Sequence, residues 1–111
     1  MHSIARPALL AASLALTGVH PALAAEAYPT RPIRLIVPFP PGGGTDIMGR
    51  LVASHLTEKL GVQTVVDNRG GAGGILGTEL AAKANPDGHT LLIGSVSTIS
   101  INPGLYTKLP F

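Results

Sequence analysis

A strand–loop–helix pattern that occurs twice, each time with a glycine-rich loop, constrains the fold of this 111-residue chain more than any other feature. The apolar run IRLIV (33–37) precedes PFPPGGGTD, and a helical pattern of apolar residues follows. The run VQTVVDN (62–68) likewise precedes RGGAGG and a second helical pattern. Strands joined by helical crossovers lie parallel in one sheet. We therefore predict an α/β fold, with the doubly apolar IRLIV as a central strand.

The spacing of apolar and breaker residues predicts the helices. The first helix is expected to be capped by Thr45 or Asp46 and to end at Gly61. The second is expected to end before Pro86. A third strand is predicted over residues 89–95, and a loop follows it. Helical spacing predicts the apolar sets that face the sheet, which are Met48, Leu51, Val52, Leu56 and Leu60 in the first helix and Leu76, Leu80 and Ala84 in the second.

The N-terminus has the pattern of a secretory signal peptide. One positive charge precedes an apolar run at residues 8–19, and the sequence ALA at residues 22–24 matches a cleavage site. The apolar run is shorter than the roughly 20 residues of a membrane-spanning helix, and a buried N-terminal helix is the alternative. We predict that residues 1–24 are removed near Ala24 on export to the periplasm. Without a cysteine after that site, no lipid anchor is expected.

Composition excludes several classes of function. The formal net charge of +2 is spread out and aromatic residues make up 4% of the chain, so nucleic-acid binding has no electrostatic footprint. The chain has no cysteine and therefore no disulfide framework. Its four histidines do not follow metal-ligand spacings, so neither a metal nor a cofactor is expected.

The loops at the carboxyl ends of the three strands are the candidate binding elements. We call them the first loop (residues 39–46), the second loop (residues 69–74) and the third loop (residues 95–102). The first two precede helix N-termini, whose unpaired N–H groups favour anions. The first loop lacks the lysine of a phosphate-binding P-loop. Neither glycine loop has the GxGxxG spacing of a dinucleotide site, although Asp67 lies where a ribose-binding acid would be.

The candidate catalytic residues form no recognisable motif. The hydroxyl groups of the third loop lack a GxSxG elbow. His55 is expected on a helix surface and His89 at the sheet edge, and Asp46 fits a helix cap better than a general base. Hydroxyl and amide groups without a general base indicate ligand binding rather than catalysis. An exported α/β enzyme acting on a small anionic substrate, or a non-functional fragment, remains the alternative.

The sequence from Tyr28 to Phe111 resembles the substrate-binding receptors of tripartite tricarboxylate transporters, the Bug family. Four motifs carry the resemblance in order, namely PFPPGG-TD, NR-x-GAGG, PDG-x-TLL-x-G and NP-x-LY. It implies a periplasmic receptor that binds a small carboxylate and serves membrane transporter subunits. It also implies two domains hinged around a cleft, as in type II periplasmic binding proteins. The expected part of the first domain is a three-stranded parallel sheet in the order 2-1-3 with flanking helices.

The resemblance places the ligand carboxylate between the first and third loops, with the second loop nearby. The chain departs from the family at Gly70, where proline is common, and at Ile99 and His89, where many relatives have histidine and tyrosine. Residues 25–111 are expected to be the N-terminal part of the first domain, in a truncated product or a partial sequence. The expected ligand-binding residues are Phe39, Pro41, Gly42, Gly43, Gly44, Thr45, Asp46, Ser97 and Thr98.

Overall fold

A computed structural model describes residues 25–111, and the predicted signal peptide lies outside them. These residues form a three-stranded parallel sheet in the order β2-β1-β3, with helices in the crossovers. The predicted α/β class, strand order and flanking helices are therefore confirmed. The strands are β1 (Ile33–Val37), β2 (Thr64–Asn68) and β3 (Thr90–Leu92), and the helices are α1 (Gly44–Leu60), α2 (Ile75–Ala82) and the short α3 (Asn102–Leu105).

The central strand β1 forms the core. Ile33, Leu35, Ile36 and Val37 have almost no exposed surface, which confirms the prediction from the doubly apolar run. The strand pairs in register with β2 from Ile33 opposite Thr64 onward, and with β3 from Arg34 opposite Thr90 onward. Full burial of one such aliphatic side chain contributes about 1.5–3 kcal/mol. This strand therefore anchors the sheet from which the three loops emerge.

The helices pack on the sheet through small residues, so the predicted apolar faces are wrong. In α1 the buried residues include Gly49 and Ala53, whereas Met48 and Leu51 are 55% and 52% exposed. A Cβ on Gly49 would lie 2.7 Å from Val37 Cγ2. In α2 the same holds, with Gly77 buried and the two leucines exposed. A helix that approaches a strand this closely needs a small residue at the contact, and apolar periodicity does not register glycine.

The two ends of α1 differ in how well they follow prediction. Gly61 ends the helix in a left-handed conformation, and its N–H donates to Thr57 O at 3.1 Å, as expected. The predicted N-cap is wrong, because Gly43 occupies that position with an extended conformation (φ −81°, ψ 171°) and no side chain caps the helix. Thr45 and Asp46 are the second and third residues of the helix. The glycines allow the helix to start earlier than its polar residues suggested.

The later elements are shorter or more helical than predicted. Helix α2 ends at Ala82, and a 3₁₀ turn over Ala72–Gly74 precedes it. Strand β3 covers three residues, against the seven expected. The third loop forms a π-helical turn over Ser97–Ile101 that continues into α3, so most of it is not irregular chain.

Candidate functional site

The three loops meet at the carboxyl end of the sheet, around Gly74. A Cβ on this residue would lie 2.5 Å from Thr98 Cγ2 and 3.3 Å from Phe39 Cζ, and its φ of +89° also favours glycine. The second loop therefore lies between the first and the third. Its own backbone turns through several left-handed positions before α2 begins.

The first loop presents an open stretch of backbone. Gly42 adopts a φ of +92°, and a Cβ added at any of residues 42–44 would meet no atom within 4 Å. The first intrahelical hydrogen bond of α1 runs from Ile47 N to Gly43 O at 3.0 Å. The N–H groups of Gly44 and Thr45 at the start of the helix consequently have no intrahelical acceptor. An anion at this end would be favoured by these donors and by the positive end of a 17-residue helix.

Asp46 is buried behind the first loop and accepts hydrogen bonds from three groups. Its Oδ2 accepts from Gly42 N at 2.9 Å and from Arg50 Nε at 3.0 Å, and its Oδ1 accepts from Asn68 Nδ2 at 2.9 Å. The Gly42 N–H, then Asn68, then Arg50 lower the pKa of Asp46 to about 2. The carboxylate is thus charged at neutral pH and already engaged by the protein.

The hydroxyl groups of the third loop bond to one another and to backbone groups of the same loop. Thr98 is buried, and its Oγ1 accepts from Ser95 N at 2.9 Å and donates to Ser95 O at 3.0 Å. Ser97 is half-buried, with its Oγ 2.8 Å from Ser95 Oγ. Of the two predicted hydroxyl donors, Thr98 therefore serves the loop's own conformation, and its methyl group faces Gly74.

Two asparagines that were not singled out from the sequence connect the loops. Asn68 Nδ2 donates to Phe39 O at 3.1 Å and joins the first loop to the end of β2. Asn102 is buried, and its Nδ2 donates to Gly73 O at 3.0 Å, joining the third loop to the second. The local signals are an asparagine at the end of a strand and an asparagine just before a proline, and they do not identify the acceptors.

Asp67 does not have the surroundings of a ribose-binding acid. Its Oδ2 accepts from Arg34 Nε at 2.7 Å and its Oδ1 from Arg69 Nε at 2.9 Å. Partial burial acts to raise the pKa of Asp67, but the two arginines outweigh it and lower that pKa overall. Both carboxylate oxygens of Asp67 therefore already accept hydrogen bonds from the side chains of Arg34 and Arg69.

The predicted candidate bases lie away from the loops. His55 is exposed on α1, as expected, and His89 is buried just before β3, at the amino end of the sheet. Within residues 25–111, no cluster of three histidine, aspartate or glutamate side chains could hold a metal ion. In the same residues, none of the helices has the length and hydrophobicity that a membrane crossing requires.

Two cavities lie away from the three loops. A groove of about 610 Å³ runs between α1 and the free edge of β2, lined in part by Ser54, Glu58 and Thr64. A smaller cavity of about 290 Å³ lies at the amino end, beside Tyr28, Arg31 and His89. The loop cluster, in contrast, is an open wall. We select it as the candidate site on its free backbone donors, because neither cavity combines such donors with a helix N-terminus.

The chain matches known proteins in sequence. The family model described as "Tripartite tricarboxylate transporter family receptor" matches residues 48–111. The chain is 44% identical to protein BugT of Bordetella pertussis over 105 residues, which cover 94% of this chain and 32% of the relative. The chain thus spans between a quarter and a third of the length of the curated relatives it matches.

Solved structures agree in fold. A structure described as a periplasmic transporter is 52% identical and superposes with a TM-score of 0.74, over 77% of this chain and 29% of that one. MatC from Rhodopseudomonas palustris with bound malate is 38% identical and superposes with a TM-score of 0.72, over 76% of this chain and 29% of MatC. At these identities the similarity extends beyond the fold to the sequence.

Proposed function

The chain belongs to the tripartite tricarboxylate transporter receptor family, and on that premise we propose that residues 25–111 form one wall of a binding cleft for a small carboxylate. The wall consists of the first and third loops. The carrying observation is the unobstructed backbone at residues 42–44, where α1 begins with free N–H groups. Glycine at these positions lets a ligand oxygen approach the backbone without meeting a Cβ.

The proposed contacts follow from what each group can donate. The N–H groups of residues 43–45 are the donors to one carboxylate, since charge-assisted hydrogen bonds to backbone amides are the strong ones. Phe39 and Pro41 flank these donors, and Ser97 supplies a hydroxyl from the third loop. The malate bound to MatC supports a carboxylate as the class of ligand. Gly42 and Thr98 belong to the wall, but their polar groups are engaged within it.

The same proposal includes the surroundings of the receptor. The chain is exported, its first 24 residues are cleaved, and the receptor delivers its ligand to membrane transporter subunits. It binds without turning over the ligand: among the described residues His55 and His89 lie away from the hydroxyls of the third loop, and Asp46 is held as a hydrogen-bonded carboxylate. Residues 25–111 are the N-terminal part of the first of two domains.

A single backbone donor can be removed to test the proposal. Gly44 is the first residue of α1, a position that accepts proline, and the extended Gly43 before it suits a pre-proline residue. Gly44→Pro therefore deletes one N–H and leaves the helix intact, whereas Gly44→Ala keeps that N–H. We expect Gly44→Pro to weaken malate binding about tenfold, the effect of one hydrogen bond to a charged group.

Binding is measured by following backbone amide resonances of the exported chain during a malate titration, a method that also detects weak binding. Malate should shift the amides of residues 43–45 and of the third loop, and glycerol at equal concentration should not. Gly44→Ala should bind as the parent chain does, and all three proteins should unfold at similar temperatures. Equal affinity of Gly44→Pro and Gly44→Ala would show that this N–H does not hold the ligand.

A further inference from the structure

We infer that Asp46 is a positioning residue: its carboxylate fixes the backbone of the first loop and does not itself contact the ligand. This inference rests on the proposed function. Asp46 is only 4% exposed, although it lies one helical turn from the open glycines. Its two carboxylate oxygens already accept hydrogen bonds from Gly42, Arg50 and Asn68. A second carboxylate placed against it would meet a like charge, which is unfavourable in a partly desolvated site.

The Asp46 carboxylate and two further side chains, Asn68 and Arg50, form a closed ring of hydrogen bonds. Asn68 Nδ2 donates to Asp46 Oδ1, Arg50 Nε donates to Asp46 Oδ2, and the Arg50 guanidinium donates to Asn68 Oδ1 at 3.3 Å. The ring joins α1 to the end of β2. The ring also forms two hydrogen bonds to the backbone of the first loop. Asn68 bonds to Phe39 O, which we call the Phe39 link, and Asp46 bonds to Gly42 N, which we call the Gly42 link.

These two links determine which backbone groups of the loop face inward. Gly42 turns its N–H toward Asp46 in a left-handed conformation that a side chain would strain. The amides of residues 43–45 follow that turn, and those of Gly44 and Thr45 have no intrahelical acceptor. Because Asp46 is negative, it also opposes an anion nearby, and Arg50 balances that charge. Loss of Asp46 therefore has two opposite effects on affinity: the loosened loop weakens binding, and the removed repulsion strengthens it. A substitution of the neutral Asn68 loosens the loop without removing the repulsion, and so separates the two effects.

Asn68→Ala breaks the ring and the Phe39 link without changing the charge of the protein. Asp46→Ala breaks the ring and the Gly42 link. We expect each to weaken malate binding about tenfold, since each loses hydrogen bonds of a charged group. The double variant should bind at least as weakly as either single one, because it loses both backbone links of the same loop. Glu58→Gln is the control, since it removes an exposed charge from the same helix and should leave affinity unchanged.

Amide hydrogen exchange at Gly42 provides a readout that does not depend on the ligand. It should be faster in Asp46→Ala than in the parent chain, with partial recovery in Asp46→Asn, which keeps one acceptor oxygen. Weak malate binding by Asp46→Ala together with full affinity in Asn68→Ala would overturn the inference in favour of direct contact. If the parent chain does not bind malate, the proposed function fails. The positioning role then stands or falls on the Gly42 exchange rate alone.

Discussion

The two ends of the sheet are both linked by side chains, but the links at the carboxyl end are mostly buried and those at the amino end are mostly exposed. At the carboxyl end, Asp46 and Asn102 are buried and bond to backbone groups of the loops. At the amino end, Arg31 pairs with Asp87 at 2.6 Å, with both side chains about half exposed. Buried side chains that bond to backbone fix a loop conformation, whereas exposed ion pairs contribute little free energy.

His89 is the exception at the amino end. It is 6% exposed, its Nε2 accepts from Thr30 N at 3.2 Å, and its ring packs edge-on to Tyr28. Tyr28 Oη in turn donates to Gly88 O at 2.6 Å. The amino end thus has one buried polar group that ties the segment before β1 to the turn before β3. The contrast teaches that buried polar side chains with hydrogen-bond partners are concentrated at the end that carries the candidate site, where Asp46, Thr98 and Asn102 lie.

Gly77→Ala should give the largest effect and tests how tightly the carboxyl end is packed. An added Cβ would lie 2.7 Å from Arg69 O and 2.8 Å from Pro38 Cα, and both of these are backbone atoms. We expect a loss of about 3 kcal/mol in urea unfolding, at the upper end for overpacking. Gly43→Ala is the control, since its φ of −81° and open surroundings should keep the change within about 0.5 kcal/mol. Equal stability of the two variants would remove the packing contrast between tight and open glycines.

Asn102→Ala tests the buried link between the second and third loops. It should cost about 1.5 kcal/mol, because the hydrogen bond from the buried Asn102 side chain to Gly73 O is lost. Asn85→Ala, at an exposed position, should stay within about 0.5 kcal/mol. Both are measured by urea unfolding of the exported chain. A loss in Asn102→Ala no greater than in Asn85→Ala would mean that the buried asparagine does not hold the loops together.

The central position of β1 and the open helix start at the first loop could be predicted because their signals are local. A doubly apolar run such as IRLIV indicates a central strand, and a glycine loop that leads into a helix indicates an open N-terminus. The helix faces could not be predicted in this way, because the contact is made by Gly49 and Gly77 and hydrophobic periodicity marks the leucines. Only the distance between helix and strand reveals which residues must be small.

The roles of the polar residues depend on partners that are distant in sequence. Asp46 looked like a helix cap, but its acceptor role is set in part by Asn68, which lies 22 residues away. The third loop is rich in β-branched residues and has no helical periodicity, yet it forms a helical turn once Thr98 packs against Gly74. Such tertiary contacts override local propensity and are not visible in the spacing of residues.

Two buried threonines, one at each end, allow a matched test with opposite signs. Thr78 Oγ1 donates to Gly74 O at 2.8 Å at the carboxyl end, whereas Thr64 Oγ1 at the start of β2 has no partner among the described residues. Thr78→Val should destabilise the chain by about 1 kcal/mol, and Thr64→Val should stabilise it by up to about 1 kcal/mol. Thermal unfolding of both variants provides the measurement. Changes of the same sign would show that the two ends do not differ in polar satisfaction.

Arg31→Ala should have the smallest effect, since it removes only an exposed ion pair at the amino end. We expect no measurable change in thermal unfolding at neutral pH. The pKa of Asp87 is lowered below 3.8, first by the His89 backbone N–H and then by Arg31. A lowered pKa stabilises the fold above pH 3.8, and this contribution is lost as the pH falls below that value. Because the first cause remains in the variant, NMR titration should still find the pKa of Asp87 below 3.8. If the pKa of Asp87 returned to 3.8 in the variant and the loss of stability equalled that of Asn102→Ala, the comparison would fail. The exposed ion pair would then stabilise the amino end as strongly as buried groups stabilise the carboxyl end.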